Sequence, residues 1–273
     1  MTTRHPPKPA VPASRSVAMT RFGLHGATQD HRRVPEEVAV ALVHDGSTTA
    51  VMMATPADIE DLALGFSLTE GIVAEASEIE GLEVVETGIG IEARMWLAKP
   101  RATALAARRR YLAGPTGCGL CGVDSLGEAM RPIPAVPDGL RISPAEIHAA
   151  LAALPAAQAL GAATRAVHAA AWWGRGGGFA GVREDVGRHN ALDKLVGALA
   201  AAGQDRTDGA VFLTSRVSVE MIQKAAVIGA QVLVAVSAPT ALAIRTAEQA
   251  RMTLVGVARR DGFEVFTRPD RVC

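Results

Sequence analysis

The sequence predicts an α/β protein, with a three-layer α/β domain in its C-terminal half and a smaller α+β domain before it. Three observations carry this. Beyond residue 143, short apolar runs such as Val232-Leu233-Val234-Ala235-Val236 alternate with helical stretches, as expected of strands buried on both faces. Upstream, two pairs of strand-like segments flank one helical segment in a ββαββ order. Between the two lies a Gly- and Pro-rich stretch with no hydrophobic period.

In chain order, residues 1–34 are rich in Pro, Arg, Thr and His and read as a flexible tail. Glu37–Val43 reads as a strand, His44-Asp45-Gly46-Ser47 as a turn and Thr48–Met53 as the returning strand. Thr55 then caps a helix with Pro56 at its first position, and Ile59, Leu62, Ala63 and Phe66 share its apolar face. Glu83–Thr87 and Glu92–Leu97 form a second hairpin. The small domain thus covers residues 35–100. Residues 101–142 hold the Arg108-Arg109-Arg110 run, a cysteine pair and Pro132, Pro134 and Pro137, long for a mere connection.

The domain at 143–273 opens with the capping box Ser143-Pro144-Ala145-Glu146 and a helix over Ala145–Ala153. Strands follow at Val167–Trp173 and Phe179–Arg183, then a helix over Asn190–Ala201. Next come strand Gly209–Thr214, helix Val219–Ile228, strand Val232–Val236 and helix Ala241–Arg251. Strands Thr253–Val257 and Phe263–Thr267 finish the chain. The order αββαβαβαββ implies a mixed sheet.

With 273 residues and 49% hydrophobic content the chain can build a substantial core. Its formal net charge is zero, so no global electrostatic case exists for nucleic acid or an anionic membrane. No apolar run approaches the length of a bilayer span, and the N-terminus lacks the apolar region of a secretory signal. Three cysteines, two of them reactive-looking, suit the reducing cytoplasm.

Those two are Cys118 and Cys121, in Gly117-Cys118-Gly119-Leu120-Cys121-Gly122 after Gly114-Pro115-Thr116. Gly and Pro keep the pair on a loop. The nucleophile in sulfur chemistry is the thiolate, and a C-x-x-C arrangement lowers thiol pKa. Flanking glycines let another molecule approach the backbone. Structural zinc needs two further ligands, the only other cysteine is the terminal Cys273 and the nearest downstream histidine, His148, is isolated, so no metal site is expected. A thioredoxin-like pair should follow a strand and open a helix, unlike this one.

In open α/β sheets, sites gather at the carboxyl ends of strands. Four segments fall there. Arg183-Glu184-Asp185-Val186-Gly187-Arg188-His189-Asn190 concentrates ionisable groups beyond the needs of a helix cap. Thr214-Ser215-Arg216-Val217-Ser218 offers hydroxyls, amides and a guanidinium for an anion. Ser237-Ala238-Pro239-Thr240 either caps a helix or joins a site. Ala258-Arg259-Arg260-Asp261-Gly262 is a turn carrying two arginines. Together they point to an anionic, nucleotide-like ligand.

The cysteine loop from Gly114 to Gly122 resembles that of the FdhD family, the formate dehydrogenase accessory sulfurtransferases. Arg183–Lys194, Thr55-Pro56, Gly65-Phe66, Glu70-Gly71-Ile72, Ser215–Ser218 and Ser237–Thr240 match the family as well, in order, from about Glu36 to Pro269. The resemblance implies a C-terminal domain similar to the cytidine deaminase fold, without the deaminase zinc signature. It implies a sulfurtransferase that takes persulfide sulfur from a cysteine desulfurase. The sulfur goes to the bis-molybdopterin guanine dinucleotide form of the molybdenum cofactor, a bound substrate needed by formate dehydrogenase, and no permanent cofactor is implied. Of the pair, Cys118 is taken as the persulfide carrier and Cys121 as its assistant, a choice between the two thiols that the sequence alone does not make. The expected contacts to the cofactor are Arg188, His189, Asn190, Asp193, Ser215, Arg216, Thr240, Val257, Ala258, Arg259, Arg260, Asp261 and Gly262. Among these the arginines meet phosphates, and Asp193 or Glu184 accepts from guanine. A homodimer is expected, with no nucleic-acid or membrane partner. Two other classes stay open: a non-catalytic cofactor-binding chaperone, and a zinc or redox α/β enzyme using the cysteine pair.

Overall fold

The computed structural model describes residues 11–103 and 133–273. Cys118, Cys121 and the arginine run at 108–110 therefore lie outside the described residues.

The segment expected to be a flexible tail contains a hairpin, β1 (Ser14–Gly23) and β2 (Gly26–Pro35), paired antiparallel from Ser14↔Pro35 to Gly23↔Gly26. Its high Arg and Thr content hid the alternation. Such a hairpin is solvated on most of its surface and needs no apolar run. Arg32 Nη2 ties it to the carbonyl of Thr164 at 3.4 Å.

Next come β3 (Val38–His44) and β4 (Ser47–Ala54). Asp45 (φ 48) and Gly46 (φ 75) join them, both left-handed as a type I′ turn requires. Helix α1 (Ile59–Thr69), β5 (Ile79–Glu86) and β6 (Ile91–Leu97) complete a four-stranded sheet of order β4-β3-β6-β5. Ile59, Leu62 and Ala63 of α1 pack on Val40, Leu42, Ile91, Ala93 and Met95. The helix starts later than Thr55-Pro56 suggests: its N-cap is Asp58, at φ 52 and without a side-chain cap bond. Thr55 is fully buried and engaged with the other domain, as described below.

The larger unit holds α2 (Pro144–Ala153), a short unforeseen α3 (Ala159–Thr164), β7 (His168–Gly174) and β8 (Gly178–Asp185). There follow α4 (Arg188–Ala201), β9 (Gly209–Leu213), α5 (Val219–Val227) and β10 (Val232–Ala235). Helix α6 (Ala241–Gln249), β11 (Thr253–Arg259) and β12 (Gly262–Thr267) end the order. The expected capping box forms, with Ser143 Oγ accepting from Glu146 N at 3.2 Å and Glu146 accepting from Ser143 N at 2.8 Å. The sheet is mixed, of order β12-β11-β10-β9-β7-β8, with β9, β10 and β11 parallel.

Alternate residues of these strands enter two cores. Ala170, Trp172, Val211, Leu213, Leu233 and Leu254 face α4, α5 and α6. Ala171, Trp173, Ala210, Phe212, Val232, Val234 and Val255 face Ile147 and Leu151 of α2. That two-sided burial is the three-layer arrangement. Val136, Leu140 and Ile142 are buried in it too, so the Pro-rich exit packs on this unit.

The two units meet where α1 crosses α4. A Cβ on Gly65 would lie 1.7 Å from the carbonyl oxygen of Asp193, and one on Gly197 would lie 1.9 Å from that of Asp61. Only glycine permits such backbone contact. Around the crossing, Lys194 Nζ meets Asp185 Oδ2 at 2.6 Å and the Thr55 carbonyl at 2.9 Å, with both ionic side chains fully buried. Thr55 N donates to Asp185 Oδ2 at 3.0 Å and Asn190 Nδ2 donates to the Met53 carbonyl at 2.8 Å. One turn on, Lys224 Nζ bonds Asp193 at 2.9 Å and Glu70 at 2.8 Å, while Thr69 Oγ1 donates to Asp193 Oδ1 at 2.7 Å. Buried charges are tolerated when paired and hydrogen-bonded like this.

Candidate functional site at one sheet edge

Because β9, β10 and β11 run parallel, the loops that follow them emerge on one edge of the sheet. Strand β8 ends there as well, since it runs antiparallel to β7, which is antiparallel to β9. The four polar segments of the sequence thus share an edge. Three are stitched together by backbone bonds: Val217 N donates to Ala238 O, Thr240 N to Val217 O and Val257 N to Ser237 O.

Val257 itself sits at φ 50, an outlier for a β-branched residue, at a register shift in the β11–β12 pairing. Its neighbour Gly256 has no room for a Cβ, which would meet Pro239 Cδ at 2.8 Å. Bulges of this kind re-aim side chains at sheet rims. Here the bulge precedes Arg259, Arg260 and Asp261, all exposed, while Ala258 is buried and Gly262 starts β12.

The other expected site residues divide into two groups. Arg216 is exposed at the same edge, and Arg188 and His189 occupy the first turn of α4. Ser215, by contrast, is buried and donates to the carbonyl of Arg216 at 3.2 Å. Thr240 Oγ1 caps α6, accepting from Ala243 N at 3.2 Å. Asn190 and Asp193 belong to the inter-unit network, and burial pushes the Asp193 carboxyl up against the pull of Lys224 and Thr69. Glu184 caps α3 instead, accepting from Leu160 N at 2.8 Å and Gly161 N at 2.7 Å. Both carboxylates proposed for guanine are thus engaged within the protein.

Ser218, the N-cap of α5, Glu220 in its first turn and His168 at the start of β7 also reach this corner. Burial, with Arg188 nearby, lowers the His168 pKa. Burial, with the positive charges of Arg188 and Lys224, pushes His189 down to about 4. Burial acts to raise the Glu220 carboxyl, but Ser218, its own backbone amide, His189 and Arg188 together hold it below the usual range. At neutral pH the corner therefore holds two neutral imidazoles and a carboxylate beside Arg188. Glu220 escaped the sequence reading because one acidic residue in a helix's first turn is ordinary.

The described residues thus define a two-unit α/β protein with a polar, multi-loop edge and no helix long and apolar enough to cross a membrane. The chain belongs to the FdhD/NarQ family, whose model matches residues 35–273. It is 52% identical over 259 residues to the sulfur carrier protein FdhD of Agrobacterium fabrum, spanning 94% of this chain and 96% of that one. It is 46% identical over 260 residues to the protein of the same name from Bordetella petrii, spanning 95% and 94%. Its fold is similar to a crystal structure from Desulfotalea psychrophila, provisionally described as a formate dehydrogenase accessory protein. That likeness has a TM-score of 0.78 at 23% identity and covers 96% of this chain and all of that one.

Proposed function

We propose that this protein is a sulfur carrier. It accepts sulfur as a persulfide on Cys118 from a cysteine desulfurase and transfers it to the molybdenum cofactor that formate dehydrogenase needs. What carries the reading is the glycine-flanked Cys118–Cys121 pair in a chain about half identical to proteins named sulfur carrier. The Cys118 thiolate attacks the terminal sulfur of the donor's persulfide. The new S–S bond forms on Cys118, and the old one breaks as the donor cysteine departs as thiolate. Cys121 assists the onward transfer. Ala102 and Ile133 both pack against one and the same core.

In this reading the bis-molybdopterin guanine dinucleotide is substrate. Its nucleotide half takes the polar sheet edge, with exposed Arg216, Arg259 and Arg260 toward phosphates. The sheet order fits a cytidine-deaminase-like frame put to a different use. The work belongs in the cytoplasm, where thiols stay reduced, and is carried out by a homodimer. The test is complementation. In a strain lacking this protein, Cys118→Ala should fail to restore formate dehydrogenase activity, whereas the wild type restores it. Restoration by the variant would give the persulfide role to Cys121 or to neither cysteine, and restoration by a variant lacking both would point to a cofactor chaperone that needs no thiol.

A further inference from the structure

Among the described residues, the large hydrophobic side chains that stand exposed are not scattered. Apart from Val227, all lie on the β1–β2 hairpin (Val17, Phe22, Leu24) or on the small sheet and its β5–β6 turn (Val51, Met53, Ile89, Trp96). Soluble chains rarely expose such groups together unless something covers them. The hairpin is the more unusual of the two. It is an arm of two ten-residue strands, exposed at nearly every position, and a two-stranded hairpin standing alone in water is marginally stable. The family match begins only at its last residue. Arg32 holds one face of the arm against Thr164. Residues paired across the strands share a face, so the opposite, free face carries Ala18, Phe22, Ala27, His31 and Arg33 and no carboxylate. Leu24, at the tip, is fully exposed.

The small sheet presents the matching surface. Helix α1 covers one of its faces. On the other, Val51 and Met53 of edge strand β4 lie opposite Ala41 and Ala39 of β3. The same face carries Glu83 and Glu92 against Arg94, and Arg94 is spent on Glu92 at 2.7 Å. We propose that the arm of one copy lies across this open face of a second copy, with Phe22 and Leu24 on Val51 and Met53 and with His31 and Arg33 toward Glu83. The contact deepens the proposed homodimer, on which it rests. The spacing agrees: His31 lies four residues, roughly 13 Å, from Ala27, and β4 and β5 lie three strand steps, roughly 14 Å, apart. Two arms laid on each other would instead set Arg33 and His31 against their own copies, which like charge disfavours. Within one chain the two patches do not cover each other, since both stand exposed. Exchange about a two-fold axis makes the contact twice. An arm roughly 30 Å long and about 10 Å wide covers about 300 Å², so two contacts counted on both surfaces bury on the order of 1,200 Å², the lower end of stable interfaces.

The test is sedimentation equilibrium on the full chain under reductant, joined to amide hydrogen exchange in dilute and concentrated protein. Dimer formation should slow exchange on the arm and on the small sheet together. Phe22→Ser combined with Leu24→Ser should raise the dimer dissociation constant roughly a hundredfold or more, and so should Val51→Ser combined with Met53→Ser. Mixing the two variants should recover part of the dimer, because each mixed pair keeps one intact arm on one intact face. A merely structural effect gains nothing from mixing. A dimer protected on the arm alone, or only away from the arm and the small sheet, would overturn the proposal and leave the homodimer standing. So would wild-type dimer strength in both folded variants. A wild-type chain that stays monomeric across the concentration series would overturn both. The wild-type exchange pattern decides even if a variant misfolds. None of these results bears on sulfur loading at Cys118, so the readings fail separately.

Discussion

Substituting Gly197 by Ala should test how the two units are held together. The new Cβ would lie 1.9 Å from the Asp61 carbonyl oxygen and 2.7 Å from its carbon. Both are backbone atoms, so no rotamer change relieves the clash. Restoring ordinary contact requires α1 and α4 to part by about 1.5 Å, a strain of the kind that overpacking imposes. That movement would stretch the Thr69–Asp193 bond of 2.7 Å and the Arg183 Nε–Asp61 bond of 2.7 Å, which bridge the same crossing. Overpacking costs about 1–3 kcal/mol and the weakened bonds about 1 kcal/mol more. Alanine returns about 1 kcal/mol through helix propensity. A net loss of about 1–3 kcal/mol follows, read in urea unfolding as a lower midpoint at unchanged slope. Gly65→Ala demands the same separation, so the double variant should cost clearly less than the sum of the two. A Gly197→Ala protein as stable as wild type, or more stable, would refute this account of the interface.

Two further outcomes follow. Arg271 is fully buried, with its guanidinium donating to the carbonyls of Arg251 at 2.6 Å and Pro137 at 3.3 Å and to Asp138 Oδ1 at 3.2 Å. Arg271→Ala should cost about 3–5 kcal/mol in urea unfolding by stranding these acceptors, and a loss under 1 kcal/mol would contradict that role. His189, held near 4 against an ordinary 6.5, remains neutral in the folded chain while the unfolded chain takes up a proton. Its contribution to stability is therefore intact above about pH 6.5, falls as the pH drops toward 4 and levels off below that. Stability measured at pH 7 and pH 5 should fall less for His189→Gln than for wild type, and identical pH dependence would place His189 in solvent.

Much of the large sheet is legible in the sequence because its strands are short apolar runs buried on both faces, as at Val232–Ala235, and the helices between them carry conventional signals, as at Ser143–Glu146. Local signals failed where tertiary contacts decide. Thr55-Pro56 looks like a helix start, but Asp185, Val186 and Lys194, distant in sequence, claim the Thr55 backbone and hydroxyl. The β1–β2 hairpin has no apolar stripe to reveal it. At the candidate site, the gathering of polar strand ends could be foreseen, whereas the fate of each carboxylate could not. Asp193, Glu184 and Glu220 look alike as residues. The first is consumed by Lys224, the second by the amides of α3, and the third keeps a buried oxygen unpaired.

The central claim is that Cys118 carries sulfur, and intact-mass spectrometry tests it most directly. The full chain is incubated with a cysteine desulfurase and cysteine, without reductant, and then digested to locate any added mass. The account predicts a gain of one sulfur atom on the peptide containing Cys118, removable by reductant and absent in Cys118→Ala. A wild-type protein that stays unmodified while the desulfurase turns over cysteine would contradict it.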